Sequence, residues 1–306
     1  MSLIQGKLAV QDCQITTYTW QPSTDPRAIV LILHGLGEHA SRYEHFAEFL
    51  VQHKFAVYAH DHRGHGQTAQ STGLHGHFAD QDGWNLVVHD VRAHVEHIKQ
   101  TFPTQKLILM GHSMGSFITQ EFLIRHGTLI DGAILSGTSG KPGPMSILGK
   151  YIARVERRFQ GAQGRAYISD FLSTYLFNRP FKPLRTSADW LSRCEENVDR
   201  YLNDSLCQFN SSTQLWIDLL EGVAACANTR RQECIPHSLP IYLFSGSEDP
   251  VSGMGQGVKD LVKAYRAAGL NAVTYRLYEG GRHEMLNEVN REEVYTDTLH
   301  WLDEHL

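Results

Sequence analysis

The chain has 306 residues, 42% of them hydrophobic and 20% charged, with a formal net charge of −5, which allows one large domain or a domain with an insertion and excludes a general attraction to nucleic acid. Five cysteines, an odd number with no CxxC pair, argue against a disulfide framework and for a reducing, cytoplasmic setting. The opening MSLIQGKLAVQDCQ lacks the pattern of a signal peptide, and no apolar run approaches the roughly 20 residues of a membrane span.

In chain order, GKLAVQDCQITTYTWQP reads as a hairpin at an antiparallel sheet edge. AIVLILHG (28–35) is a β-branched run ending in glycine, as a strand buried on both faces requires. RYEHFAEFLVQH (42–53) carries Tyr43, Phe46, Phe49 and Leu50 at helical spacing, FAVYAHD (55–61) is a second strand, and residues 83–100 form an amphipathic helix. KLILMGH is a third strand. MGSFITQEFLIRHG is a helix with Gly127 as its C-cap, and DGAILSG (131–137) is a fourth strand. The alternation resumes late, with strands at PIYLFSGSED and AVTYRLYEGG, a helix near 255–268 and a closing helix at REEVYTDTLHWLDEHL. Repeated β-α-β units predict a mostly parallel sheet with helices on both faces.

Residues 141–237 interrupt this pattern. After the turn-rich SGTSGKPGP, one helix places Met145, Leu148, Ile152, Val155 and Phe159 on a single face, and another does so with Leu215, Trp216, Leu219, Leu220 and Val223. The expected organisation is a core of residues 1–140 and 238–306 with a helical cap, 141–237, over the strand ends. In the first of these helices Lys150, Arg154, Arg157 and Arg158 flank the apolar face. The favoured reading turns that face onto a pocket and the charges to water; the other is an interfacial helix that meets anionic lipid, giving transient membrane-surface contact.

Gly111-His112-Ser113-Met114-Gly115 fits G-x-S-x-G between a strand and a helix. Such a turn holds the serine in a strained conformation, needs small residues two before and two after it, and places helix N-terminal amides beside it. A serine hydroxyl needs a base, and the base an orienting carboxylate, in the chain order Ser, Asp or Glu, His. SGSEDPVS supplies Glu248 and Asp249, and GGRHEMLNE supplies His283. Both loops follow late strands and leave the sheet on the side where ligands bind. His34-Gly35-Leu36-Gly37 follows an early strand, and its Leu36 amide, with that of Met114, would bind an oxyanion.

HGLGEHASRYEHFAEFL, AHDHRGHGQT, GHSMG, SGSEDPVS and GGRHEMLNE, five motifs in order along nearly the whole chain, resemble the monoacylglycerol lipase and lysophospholipase branch of the α/β-hydrolases, in the serine aminopeptidase S33-like hydrolase family. RTSADWLSRCEENVDRYLNDSLCQF in the middle segment resembles bacterial members less specifically. The resemblance implies an α/β-hydrolase fold, a triad of Ser113, Asp249 (over Glu248) and His283, oxyanion amides of Leu36 and Met114, no cofactor and no metal. It further implies hydrolysis of a single-chain lipid ester, with a general short- to medium-chain carboxylesterase as the alternative. A peptidase and a non-catalytic binding protein on the same scaffold rank lower; Ser113 argues against a dehalogenase and Leu36 against a perhydrolase.

Other residues carry plainer expectations. His34 shapes its loop by hydrogen bonding, and Glu38, His39, Asp61, Arg63 and Gly64 brace the region. His60, His62 and His65 alternate as metal ligands can, but no HExxH or Cys/His cluster supports a metal. His75, His77, His94 and His97 read as solvated surface residues.

Overall fold

The computed structural model describes residues 3–140 and 144–306; the side chains of Pro144 and Met145 also lie outside the described set. Eight strands form one sheet: β1 (Leu3–Val10), β2 (Cys13–Trp20), β3 (Ala28–Leu33), β4 (Phe55–His60), β5 (Lys106–His112), β6 (Gly132–Ser136), β7 (Ile241–Gly246) and β8 (Val273–Tyr278). Their spatial order is β1-β2-β4-β3-β5-β6-β7-β8. The β1–β2 hairpin joins β4 antiparallel, and all other neighbours are parallel. The apolar runs read as strands are buried along their full length in β3, β4, β6 and β7.

Helices α1 (Glu44–Gln52), α2 (Gly66–Thr72), α3 (Gly83–Thr101) and α4 (Met114–His126) belong to the first half. Between β6 and β7 the described residues form no strand but five helices, α5 (Pro144–Gln160), α6 (Tyr167–Asn178), α7 (Glu195–Asn203), α8 (Thr213–Cys226) and α9 (Thr229–Gln232), with one 3-10 turn (Arg179–Phe181) and an isolated bridge between Arg165 and Ser212. Helices α10 (Gln256–Ala267) and α11 (Arg291–His305) complete the chain.

One apolar cluster fills one face of the sheet from α3, α4 and α10, and a second fills the other from α1 and α11. Leu215 and Leu219 of α8 belong to the first cluster, so this inserted helix is part of the main core. Gly222 explains the fit: a Cβ there would overlap the indole of Trp84.

Gly127 caps α4 as expected, in a right-handed conformation, φ −57°, that continues into a 3-10 turn; its small size lets Pro236 approach, since a Cβ would lie 2.7 Å from that ring. Two expectations need correction. His77 and His94 are buried rather than solvated, while His75 and His97 are exposed as expected.

The second correction concerns α5, whose expected inward face points outward. Leu148, Val155 and Phe159 are 50%, 58% and 84% exposed. The side turned inward holds Ala153 and Glu156. Glu156 accepts hydrogen bonds from the Ile168 and Ser169 amides (2.8 and 3.2 Å) and the Ser169 hydroxyl (2.7 Å), which satisfies the N-terminal turn of α6. Gly149 lies close against Leu220 of α8. Close backbone packing and one capping carboxylate therefore fix the helix's rotation.

Candidate active site

The site lies where the strand order reverses. From β3 the chain steps to β4 on one side and then to β5 on the other, so the crevice beyond the carboxyl ends of β3 and β5 is open to a ligand. The loop after β3 and the turn after β5 meet there.

Ser113 occupies that turn with φ 52° and ψ −120°, a conformation that strains any residue with a side chain. Both flanking glycines are sterically required. A Cβ on Gly111 would overlap the Gly115 carbonyl and the Thr119 hydroxyl, and one on Gly115 would overlap the Leu33 carbonyl of β3. The Ser113 amide donates to Ser136 O of β6 (2.9 Å), pinning the turn to the sheet. The side chain stays partly accessible at the mouth of a cavity of about 590 Å3.

Leu36 and Met114 line the same cavity. The Gly35 amide is engaged by Glu38 Oε1 at 2.6 Å. The Leu36 amide, and that of Met114 at the first position of α4, donate to no group among the described residues. The free Met114 amide thus stands at the N-terminus of α4, where negative charge is favoured, and the free Leu36 amide lies in the loop after β3, whose residue lines the same cavity.

Asp249 and His283 meet directly. His283 Nδ1–H donates to Asp249 Oδ1 over 2.9 Å, and both residues are buried. The Ser245 hydroxyl holds Asp249 Oδ2 (2.6 Å) and the Val251 amide holds Oδ1 (2.9 Å). Glu248 is exposed, and its amide donates to Gly281 O (2.9 Å), stitching the two loops together. Burial pulls the His283 pKa down, but the Asp249 carboxylate outweighs it and raises it above the ordinary histidine value. Burial opposes ionisation of Asp249, yet His283 and the donated bonds hold its pKa below the usual carboxylate range.

No hydrogen bond joins Ser113 Oγ to His283 in the structure. His112, the residue before the serine, packs on the His283 ring with centroids 4.7 Å apart. On another side Trp190, from the turn segment before α7, covers His283 at 4.9 Å and presents its own surface to the cavity.

A buried ion network supports these loops. Arg42 donates to both Glu284 oxygens (2.8 Å each) and to Glu38 Oε2 (2.7 Å), and the Tyr43 hydroxyl donates to Glu38 Oε1 (2.8 Å). Asn197 of α7 donates to Glu284 Oε2 (2.8 Å). Burial works against ionising Glu284, but the Arg42 guanidinium holds its carboxyl well below the usual range. The network connects the loop after β3, the residue next to His283 and the inserted helices. Glu38 acts as the expected brace, and so does Asp61, which takes the Ala40 and Gln67 amides (2.8 and 2.7 Å) and the Tyr18 hydroxyl (2.9 Å). Arg63 pairs with Asp90 (2.5 Å).

His34 accepts the His62 amide at Nε2 (3.0 Å) and holds its own loop through Gly35 O (2.8 Å). His60 contacts His62 (3.2 Å) and His94 (3.0 Å). Burial pushes His34, His65 and His94 down to about 3 and holds His60 and His62 well below the ordinary value, so this chain of rings is neutral at neutral pH.

A family model described as serine aminopeptidase, S33, matches residues 24–290. The chain belongs to the serine aminopeptidase S33 family of hydrolases. It is 29% identical over 283 residues to the monoglyceride lipase of Mus musculus, covering 92% of this chain and 82% of that protein. It is 28% identical to the monoacylglycerol lipase of Mycolicibacterium smegmatis, covering 94% and 92%. In three dimensions it resembles a carboxyl esterase from Bacillus coagulans solved in complex with glycerol, with a TM-score of 0.91, 26% identity and coverage of 100% and 99%. The S33 fold, an α/β-hydrolase, agrees with the expectation from the motifs.

Sequence reasoning assigned no role to Trp190, Arg42, Glu284, Asn197 or Ser245. Trp190 and Asn197 lay inside the quoted middle segment and Glu284 stands beside His283, but only the folded chain shows what each touches.

Proposed function

We propose that this chain is a serine hydrolase of single-chain lipid esters, with monoacylglycerol as the preferred substrate, and that residues 141–237 act as its cap. One observation carries the reading: a strained, accessible Ser113 between two free amides opens into a cavity roofed by apolar inserted helices.

The chemistry is acyl transfer to water. As the ester enters, Ser113 Oγ comes into hydrogen bonding with His283 Nε2, a contact that tightens only in the reactive complex. His283 takes the hydroxyl proton while Oγ attacks the carbonyl carbon; Asp249 fixes the imidazole tautomer and stabilises the imidazolium. The Leu36 and Met114 amides bind the oxyanion. The C–O bond to the alcohol breaks, and the alcohol leaves with the proton from His283. Water, deprotonated by the same ring, then releases the fatty acid and restores Ser113.

The cavity wall supports the substrate class. Phe117, Phe171, Phe177, Trp190, Leu219 and Val223 offer an acyl-binding surface. Among the described residues the wall carries no lysine or arginine, and its one carboxylate, Asp170, is engaged by Trp216 Nε1 (2.7 Å) and the Ser211 amide (3.0 Å). A phosphate headgroup would find no cation there and a peptide amine no free acid, whereas a glycerol headgroup needs neither.

The cap surface supports membrane docking over a purely pocket-covering helix. Ile147, Leu148, Tyr151, Val155 and Phe159 on α5, with Tyr167, Ile168, Phe171 and Tyr175 on α6, are all exposed, and Tyr167 and Phe171 also line the cavity. Arg154, Arg157 and Arg158 flank them. Apolar side chains rimmed by cations and continuous with the pocket suit a lipid surface. No helix among the described residues is long and apolar enough to cross a membrane.

The test is a rate comparison of monooleoylglycerol, lysophosphatidylcholine and p-nitrophenyl butyrate, with Ser113→Ala as blank. Preference for monooleoylglycerol is the expected result. Preference for the phospholipid overturns the headgroup argument, and activity on butyrate alone reduces the enzyme to a general esterase.

A further inference from the structure

Outside the triad, three side chains of different donor type converge between the loop after β3 and the turn after α7. His39 Nε2 lies 2.8 Å from Asp204 Oδ2, and with Cys207 Sγ these atoms all fall within 4.8 Å of one another. His39 and Cys207 are buried, whereas the Asp204 side chain is 31% exposed.

We propose that His39, Asp204 and Cys207 form a binding site for a thiophilic divalent cation, Zn2+ or Cd2+, that fastens the cap to the loop after β3. An imidazole nitrogen, a carboxylate oxygen and a sulfur are the donor set such ions select, and the exposed side at Asp204 leaves a fourth position for water.

The surroundings already orient the donors. The Leu206 amide occupies Asp204 Oδ1 (2.9 Å), which leaves Oδ2 for His39. The Cys207 amide donates to Asp204 O (3.1 Å), so one tight turn carries both ligands. The Gln208 amide donates to Gly37 O (3.2 Å), holding that turn against the His39 loop. Ser41 Oγ lies 2.9 Å from His39 Nδ1 as the outer partner a ligating histidine needs. The nearby Arg42 is already matched by Glu38 and Glu284, so it leaves no uncompensated positive charge.

Protons balance as follows. Without the ion, His39 Nε2–H donates to Asp204. On binding, that proton is carried by Nδ1, which donates to Ser41 Oγ, and the Cys207 thiol loses its proton to solvent. One proton is released per cation, and thiolate and carboxylate together neutralise its charge.

The test titrates chelator-stripped, full-length protein with cadmium chloride, following thiolate-to-cadmium ultraviolet absorption and proton release. The expected result is one cadmium and one proton per chain, with a Tm higher by a few degrees. Cys207→Ser abolishes the absorption and the Tm shift, while Cys234→Ser, at an exposed cysteine, keeps both. Asp204→Asn, which keeps the side chain's shape, weakens binding by about tenfold or more. A signal that survives Cys207→Ser, or a wild-type protein with no response at stoichiometric cadmium, overturns the site. None of these readouts uses turnover, so the metal site can fail while the proposed esterase stands, and the reverse.

Discussion

The floor and the roof of the cavity are built by different means. The floor is backbone: strand ends, two glycines that exclude any Cβ, and amides freed at a helix start. The roof is side chains: Glu156 capping α6, Trp190 lying on His283, and Arg42 with Asn197 holding Glu284. A floor fixed by sheet geometry holds its charged and polar groups in place without depending on any one side-chain contact. A roof fixed by side chains depends instead on a few contacts between residues far apart in sequence, each of which one substitution can remove.

The comparison can be broken most sharply at the floor. Ser113→Ala should lower kcat/KM by about 10⁴ to 10⁶ with the fold intact, measured on monooleoylglycerol. Retained turnover would remove the floor from the chemistry. Asp249→Asn should cost about 10⁴ in kcat, because the His283 tautomer is no longer fixed. It should also move the acidic limb of the kcat/KM pH profile. In the wild type Asp249 raises the His283 pKa, and only the neutral ring accepts the serine proton, so activity rises with pH through a midpoint above 6.5. Without the carboxylate that midpoint falls.

The junction between floor and roof comes next. Arg42→Ala leaves Glu38 and Glu284 buried without their cation, at a cost of about 3–5 kcal/mol in urea unfolding. A loss under about 1 kcal/mol would mean that the two parts are not coupled through this ion. The buried histidine chain adds a smaller cost for each ring. His34, His65 and His94 have depressed native pKa values, so their stabilisation is complete above about pH 6.5 and falls as the unfolded state takes up protons below it. At pH 5 the loss is about 1–2 kcal/mol per ring, read from urea midpoints between pH 7 and 5. The smallest effect belongs to the roof's outer face. Phe159→Asp should reduce partitioning onto anionic vesicles by about tenfold, with hydrolysis of dissolved p-nitrophenyl butyrate unchanged. An unchanged partition would place the exposed stripe outside any lipid contact.

The floor was legible in the sequence because its signals are local. GHSMG between a strand and a helix states its own turn chemistry, and the late loops with Asp249 and His283 follow runs whose burial is plain. The roof was not. Periodicity gave α5 an apolar face but not the direction in which it points; that depends on Glu156 meeting an amide pair twelve and thirteen residues on. Helices α6 and α7 went unread as separate elements, because 161–212 is broken by turns and its apolar residues face several ways. His77, in the loop before α3, and His94, on the amphipathic α3, looked like surface residues, since a polar type gives no sign in sequence that a neighbouring polar group awaits it. Trp190 was visible only as a residue of the middle segment; its place over His283 comes from contacts some ninety positions apart.

The membership of α8 in the main apolar cluster limits how the enzyme can breathe. Leu215, Leu219 and the close seat of Gly222 on Trp84 make α8 a fixed post rather than part of a swinging lid. Admission of a lipid chain is therefore expected to involve α5 and α6 rather than α8, and a cross-link tying α5 to α8 should slow hydrolysis without touching the nucleophile.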